Sequence, residues 1–113
     1  MKKSYYKNID AKEVSDPKAS KTKIRVLISE EDGAKNFIMR LFEIEPGGYT
    51  PLHQHPWEHE VFIKEGSGIL VIEKKEIPLK KGDVIFILPE ELHQFKNNGG
   101  ELMEVLCLIP VNK

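Results

Sequence analysis

The stretch that decides the fold runs from Gly47 to Gly66 and reads GGYTPLHQHPWEHEVFIKEG. It opens on two glycines, holds three histidines within seven residues, and continues into an apolar segment that ends at a third glycine. In an extended chain, residues two apart point to the same face, so His53 and His55 can reach one ion together. Imidazole nitrogens are common ligands of divalent transition metals. The stretch therefore predicts a metal site carried by extended chain.

A helical arrangement of the same histidines is the first alternative. The spacing of His55 and His59 would suit one face of a helix, but Pro56 biases the residue before it towards an extended conformation. A helix could not bring His53 and His55 onto one face. The helical zinc-peptidase pattern also needs a glutamate directly after its first histidine, where this chain has proline. We therefore expect an extended segment here.

Outward from this stretch, the chain is a series of short apolar runs separated by turn-forming residues. No window keeps a helical period over three turns, and the runs are rich in Val, Ile, Leu and Phe. They cover residues 24–28, 37–44, 60–63, 69–72, 84–88, 92–95 and 102–109. Many short strands at this spacing predict an all-β sandwich or barrel. Its core is expected to include Phe42, Phe62, Phe86 and Phe95.

The glycines and histidines together resemble a known motif. The pattern Gly47-x5-His53-x-His55-x3-His59-x6-Gly66 has the spacing of the first motif of the cupin family, G-x5-H-x-H-x3-E-x6-G. The chain departs from it only at His59, where most cupins have a glutamate.

A looser match to the second cupin motif, G-x5-P-x-G-x2-H-x3-N, follows at Gly82, Pro89, His93 and Asn97. The first gap is one residue longer than the pattern, the next is one shorter, and the internal glycine is absent. The two shifts cancel, so His93 keeps its place relative to Gly82. The two motifs span residues 47–97.

The resemblance implies an antiparallel cupin jelly-roll barrel with a metal near its mouth. It implies that His53, His55, His59 and His93 are the metal ligands. Glu60 is the alternative ligand to His59. Only His59 has the sequence spacing that the motif requires from both His55 and Gly66. The sequence is similar to small cupins with a four-histidine manganese site, so manganese is the expected ion, with Fe, Zn, Ni or Cu as alternatives.

Four neutral imidazoles leave the charge of a divalent ion uncompensated, and an octahedral ion would keep two positions open. A site without a ligand carboxylate needs a base from elsewhere, and Glu58 and Glu60 are the candidates, as bases or as groups that orient a ligand imidazole. The alternative for both is a solvated strand edge. Asn97 is expected to hold a turn, and Cys107 to be an inert buried thiol.

The leading functional prediction is a metal-dependent, dioxygenase-like oxidoreductase acting on a small organic molecule. The alternatives are a non-catalytic sensor or binding barrel and an isomerase or lyase that uses the metal as a Lewis acid. A net charge of -1 gives no reason to expect nucleic acid, and no apolar run approaches the ~20 residues that cross a bilayer. A single cysteine excludes an internal disulfide. The expected location is the cytoplasm.

Two segments are expected along the chain. Residues 1–22 are polar and lysine-rich and predict an arm, either solvated or packed or exchanged at a dimer interface. Residues 23–113 predict the barrel. Several strands, 102–109 above all, are apolar on both faces, so a homodimer that covers one face is expected.

Overall fold

The computed structural model describes residues 1–111, and the regular structure of these residues is almost wholly antiparallel strand. The strands are β1 (Lys12–Glu13), β2 (Ser20–Ile28), β3 (Phe37–Tyr49), β4 (His59–Glu65), β5 (Ser67–Ile72), β6 (Lys75–Lys80), β7 (Val84–Ile87), β8 (His93–Lys96) and β9 (Met103–Pro110). Two short 3-10 turns, Tyr6–Asn8 and Glu30–Asp32, complete the elements. The predicted all-β jelly-roll fold is confirmed.

The hydrogen-bonding order of the sheet is β6-β5-β8-β3-β9-β4-β7, with β2 paired to β3 and β1 to β2. β3 joins two parts of this curled sheet, because residues 37–44 pair with β9 while Tyr49 pairs with Lys96 of β8. The strand changes direction at two glycines. Gly47 has φ +83°, and a Cβ on Gly48 would lie 2.8 Å from the carbonyl oxygens of Ser20 and Lys21. Only glycine fits this bend.

Each apolar run predicted from the sequence overlaps one strand, from β2 to β5 and from β7 to β9. β1 and β6 were not predicted. β6 is polar, contains Pro78 and buries only Leu79. It lies at the edge of the sheet, where a proline is tolerated because its backbone nitrogen does not need to donate a hydrogen bond to a neighbouring strand.

The hydrophobic core lies on the concave face of the curled sheet, and along β4 buried and exposed residues alternate. His59, Val61 and Ile63 are buried, whereas Glu60 and Phe62 are exposed. The prediction that all four phenylalanines are core residues is wrong for Phe62 and Phe86, which are 41% and 53% exposed. Both occupy outward positions of their strands. The buried core cluster consists of Ile44, Val61, Ile63, Leu70, Leu79, Ile87, Phe95, Met103, Val105 and Cys107.

The N-terminal segment lies against the chain's own sheet. Lys12 pairs with Ile24 through β1 and β2, and the Val14 N–H donates to the carbonyl oxygen of Thr22 at 3.0 Å. The side chain of Arg25 donates to the carbonyl oxygen of Ile9. Packing or exchange of this segment at a dimer interface stays a prediction. Among residues 1–111, no helix has the length and apolar character needed to span a membrane.

Candidate metal centre

The four histidines come together at one end of the curled sheet. His59 is the first residue of β4 and His93 the first of β8, while His53 and His55 lie in the loop between β3 and β4. His53 and His93 exchange two backbone hydrogen bonds, of 3.1 and 2.9 Å, which fix the loop to β8. Five of the ring pairs have centroids between 4.4 and 5.1 Å apart. The histidine cluster predicted from the sequence is present in the fold.

Backbone carbonyl groups orient two of these rings. Nδ1 of His55 donates to the carbonyl oxygen of Trp57 at 2.9 Å, and Nδ1 of His93 donates to that of Glu91 at 2.7 Å. A carbonyl oxygen can only accept, so each Nδ1 carries a proton and Nε2 is the nitrogen that remains as a possible metal ligand. The His55 ring also stacks on Trp57, with centroids 4.3 Å apart. Metal-binding histidines are typically held in this way through their second nitrogen.

His59 is held from the opposite side. Its Nδ1 lies 2.8 Å from Sγ of Cys107, and its Nε2 faces Nε2 of His55 at 2.5 Å. Burial raises the pKa of the Cys107 thiol, which agrees with the predicted buried cysteine. The position of Cys107 beside a histidine ring was not predicted.

Three of the four histidines, His53, His59 and His93, have pKa values below the ordinary value of 6.5. Burial, with smaller contributions from neighbouring histidines, lowers the pKa of His53 to about 4 and that of His59 to about 3. Burial also lowers the pKa of His93. Neutral imidazole is the form that binds a metal, so these three rings do not have to lose protons first.

A cavity of about 430 Å³ opens beside the four rings. Its walls combine apolar and aromatic side chains from the sheet with residues of the N-terminal segment. The lining residues are Lys12, Glu13, Val14, Ser15, Asp16, Ile24, Arg40, Phe42, Thr50, Pro51, His53, His55, Trp57, His59, His93, Phe95 and Cys107. A site of this size and lining can enclose a small organic molecule.

Arg40 is the feature of this cavity that sequence reasoning missed. Its Nη2 donates to Sγ of Cys107 at 3.1 Å, and its guanidinium lies 5.1 Å from the ring centre of Phe42. A signal was available, because Arg40, Phe42 and Ile44 share one face of a strand and Ile44 is fully buried. A cation at an inward position of an apolar strand indicates a polar interior site.

The donor set suits a divalent transition metal. One ring nitrogen from each of His53, His55 and His93 lies within 4.8 Å of the others. Ligands that are all imidazole favour Mn, Fe, Co, Ni, Cu or Zn over calcium or magnesium, which prefer oxygen. The residues present therefore fit the metal that the fold implies.

The two glutamates predicted as catalytic or orienting groups lie elsewhere. Within the described part of the chain, neither Glu58 nor Glu60 lines the histidine cavity. They line a separate pocket of about 240 Å³ together with Phe37 and Pro110. Asn97 does not line the cavity either. Its side-chain amide donates to the carbonyl oxygens of Ile44 and Glu101, which agrees with the expected role in a turn.

Comparison with known proteins places the chain among related folds. Residues 40–109 match the family model described as the cupin domain, Cupin_2. The solved structure of the polyketide cyclase RemF from Streptomyces resistomycificus is 37% identical, with a TM-score of 0.92. That similarity covers 97% of this chain and 79% of the cyclase.

Two curated proteins are similar over shorter regions. The oxalate-binding protein of Thermotoga maritima is 36% identical over 74 residues, which are 62% of this chain and 61% of that protein. The 1-methylthio-D-xylulose 5-phosphate methylsulfurylase of Rhodospirillum rubrum is 30% identical over 71 residues, 63% of this chain and 46% of that protein. The matched region thus spans about half to three fifths of these curated relatives.

Proposed function

The chain belongs to the cupin family, and from this we propose that it is a metal-dependent oxidoreductase acting on a small organic molecule. The observation that carries the proposal is the close cluster of four imidazoles beside a cavity of about 430 Å³. The cluster offers ligands for a redox-capable ion, and the cavity offers room for a substrate next to it.

His53, His55, His59 and His93 would hold the ion, and manganese is the ion we propose. When bound, a divalent transition metal with four protein ligands supplies a redox-capable Lewis acid with two open coordination positions. The chain itself supplies orientation, through the carbonyl groups that fix the rings of His55 and His93.

The walls of the cavity contribute the rest. Phe42, Phe95 and Trp57 exclude water from the side of the substrate away from the rings. Glu58 and Glu60 remain proposed contributors, but as positioning residues, because they flank His59 in sequence and are exposed on its far side. Their effect would pass through the orientation of His59.

Metal content of the untagged protein, purified without chelators, tests the proposal. We expect near one equivalent of manganese per chain, lost in His59→Ala. Glu60→Ala, which tests the alternative ligand, should keep the metal and lower turnover only. Oxygen uptake should then be measured over a panel of dicarbonyl and alkene substrates. A protein that binds no transition metal even after reconstitution contradicts the metal site. A loaded protein that consumes no oxygen with any substrate contradicts the oxidoreductase.

A second candidate is a cyclase or isomerase that uses the metal only as a Lewis acid. The 37% identity to a polyketide cyclase over 97% of this chain favours it. Turnover that is undiminished without oxygen and supported by zinc would select this candidate. A metal retained with no turnover under either condition would instead select a non-catalytic binding barrel.

We further infer a homodimer formed through the outer face of β4 and its neighbours. Phe62 pairs across the sheet with Val84 and with Leu106, and Val84 is 77% exposed. Phe86, paired with Glu60, extends the same face. Because an apolar sheet face of this kind is unfavourable in water, a second copy of the chain is the cover we propose.

A further inference from the structure

Arg40 carries a charge that no ion pair within residues 1–111 balances. The Nε atom of Arg40 is buried without a hydrogen-bond partner within residues 1–111. The ion pairs of those residues join other side chains, and none includes Arg40. Its polar contact is with the weak acceptor Sγ of Cys107. Arg40 is half-buried, and a guanidinium partly removed from water is unfavourable unless another group compensates its charge.

The surroundings of Arg40 are those of a ligand site. Its side chain lines the same cavity as the histidines. Through Cys107, whose sulfur lies 3.1 Å from Arg40 Nη2 and 2.8 Å from His59 Nδ1, the guanidinium is one side chain away from the cluster. The acidic residues that line the cavity, Glu13 and Asp16, are exposed and lie on the N-terminal segment. The described lining outside the N-terminal segment therefore combines the Arg40 guanidinium with four imidazoles and contains no carboxylate.

We propose that the cavity takes a small organic monocarboxylate with an apolar body, and that Arg40 binds its carboxylate. A guanidinium matches a carboxylate in charge and in the geometry of paired hydrogen bonds. The apolar body would pack on Ile24, Phe42 and Phe95, which line the same cavity. This assigns a substrate class to the proposed oxidoreductase and rests on that function only for the claim that the bound acid reacts.

A phosphate group is a poorer match for this site. Phosphate sites usually gather several donors from a glycine-rich loop or a helix N-terminus. Here the lining offers one guanidinium, which a strand bears, and one lysine, Lys12, which is exposed on the N-terminal segment. A single negative charge on a planar group is therefore the anion that the site accommodates best.

Trp57 gives a direct readout, because it is the chain's one tryptophan and lines the cavity. Cyclohexanecarboxylate and cyclohexanecarboxamide are probes of equal size that differ in charge and do not fluoresce. Each would be titrated by tryptophan fluorescence against chelator-treated protein and against manganese-loaded protein. We expect the carboxylate to bind about tenfold or more tightly than the amide in both forms.

Arg40→Gln should reduce carboxylate binding to the level of the amide, and Arg40→Lys should retain part of the preference. Unchanged binding of the amide shows that the cavity of each variant is intact, and Lys23→Gln, which removes an exposed cation outside the cavity, should match the wild type.

Three outcomes would overturn the inference. In the first, the carboxylate has no advantage over the amide in the wild-type protein. In the second, the advantage survives in Arg40→Gln but disappears on chelation, which would place the carboxylate on the metal and leave the proposed metal site standing. In the third, inorganic phosphate displaces the carboxylate at lower concentration than the carboxylate itself requires. Conversely, an Arg40-dependent preference in a protein that binds no metal would support the acid site and reject the proposed oxidoreductase.

Discussion

Sγ of Cys107 lies 2.8 Å from Nδ1 of His59, so the buried strand β9 holds a histidine that β4 carries into the cavity. The two residues are 48 positions apart in the chain. The contact leaves Nε2 of His59 directed at Nε2 of His55. Orientation of a ligand ring through its second nitrogen is the established way in which metal affinity is tuned.

Removing this contact should weaken metal binding. Cys107→Val keeps an apolar side chain of similar size but offers no partner to Nδ1, and we expect manganese affinity to fall about tenfold or more. Cys107→Ser keeps a hydrogen-bonding atom and should lose less. Equilibrium dialysis with elemental analysis measures both. Equal affinity in Cys107→Val and the wild type would show that the sulfur does not orient His59.

Asn97 should be a stability residue with no direct part in the site. Its side chain is 2% exposed and makes three hydrogen bonds, to the carbonyl oxygens of Ile44 and Glu101 and from the N–H of Gly99. Asn97→Ala leaves these buried groups unpaired, so the free energy of unfolding should fall by about 2–4 kcal/mol in urea titrations. Asn98→Ala, at the exposed neighbouring position, should change it by less than about 0.5 kcal/mol. Similar losses in both variants would contradict the assignment.

Much of the fold could be predicted because its signals are local. Short apolar runs between turn-forming residues predict seven strands, and the histidine spacing predicts the cluster. β6 was not predicted because an edge strand needs few apolar residues, and only Leu79 in it is buried.

The contents of the cavity could not be predicted in the same way. Arg40 and Cys107 face each other because β3 pairs with β9 in one register, and that register joins residues 67 positions apart. A shift of either strand by one residue would send its own side chain to the opposite face and separate the pair. The outward positions of Phe62 and Phe86 could not be predicted for a related reason, because composition alone does not show which face of a strand is buried.

The metal-free protein should lose stability as the pH falls from 7 towards 4. His53 and His59 have folded-state pKa values of about 4 and about 3, below the ordinary value of 6.5. Between those values and 6.5 the unfolded chain binds protons that the folded chain does not, so acid favours unfolding in this window. Stability is fully present above pH 6.5. Urea unfolding of chelator-treated protein at pH 7 and pH 5 measures the effect.

A matched variant assigns that pH dependence to the cluster. His59→Gln removes one of the depressed groups, so the loss of stability between pH 7 and pH 5 should be smaller than in the wild type. Asp32 and Asp83 do not confuse the comparison, because their pKa values lie below 3.8 and they titrate in more acidic solution. Identical losses in the two proteins would show that His59 does not contribute.

Disruption of the outer face should produce monomers. Phe86 is 53% exposed beside Phe62 and Val84, and Phe86→Glu places a charge where a second copy would cover an apolar ring. We expect the wild-type protein to sediment at twice the chain mass, and Phe86→Glu to weaken dimerisation about a hundredfold. Ile77→Glu is the control, because Ile77 is 42% exposed but lies on β6, at the other end of the sheet order. A monomeric wild-type protein would contradict the dimer. Equal dissociation in both variants would show that the dimer contact lies elsewhere.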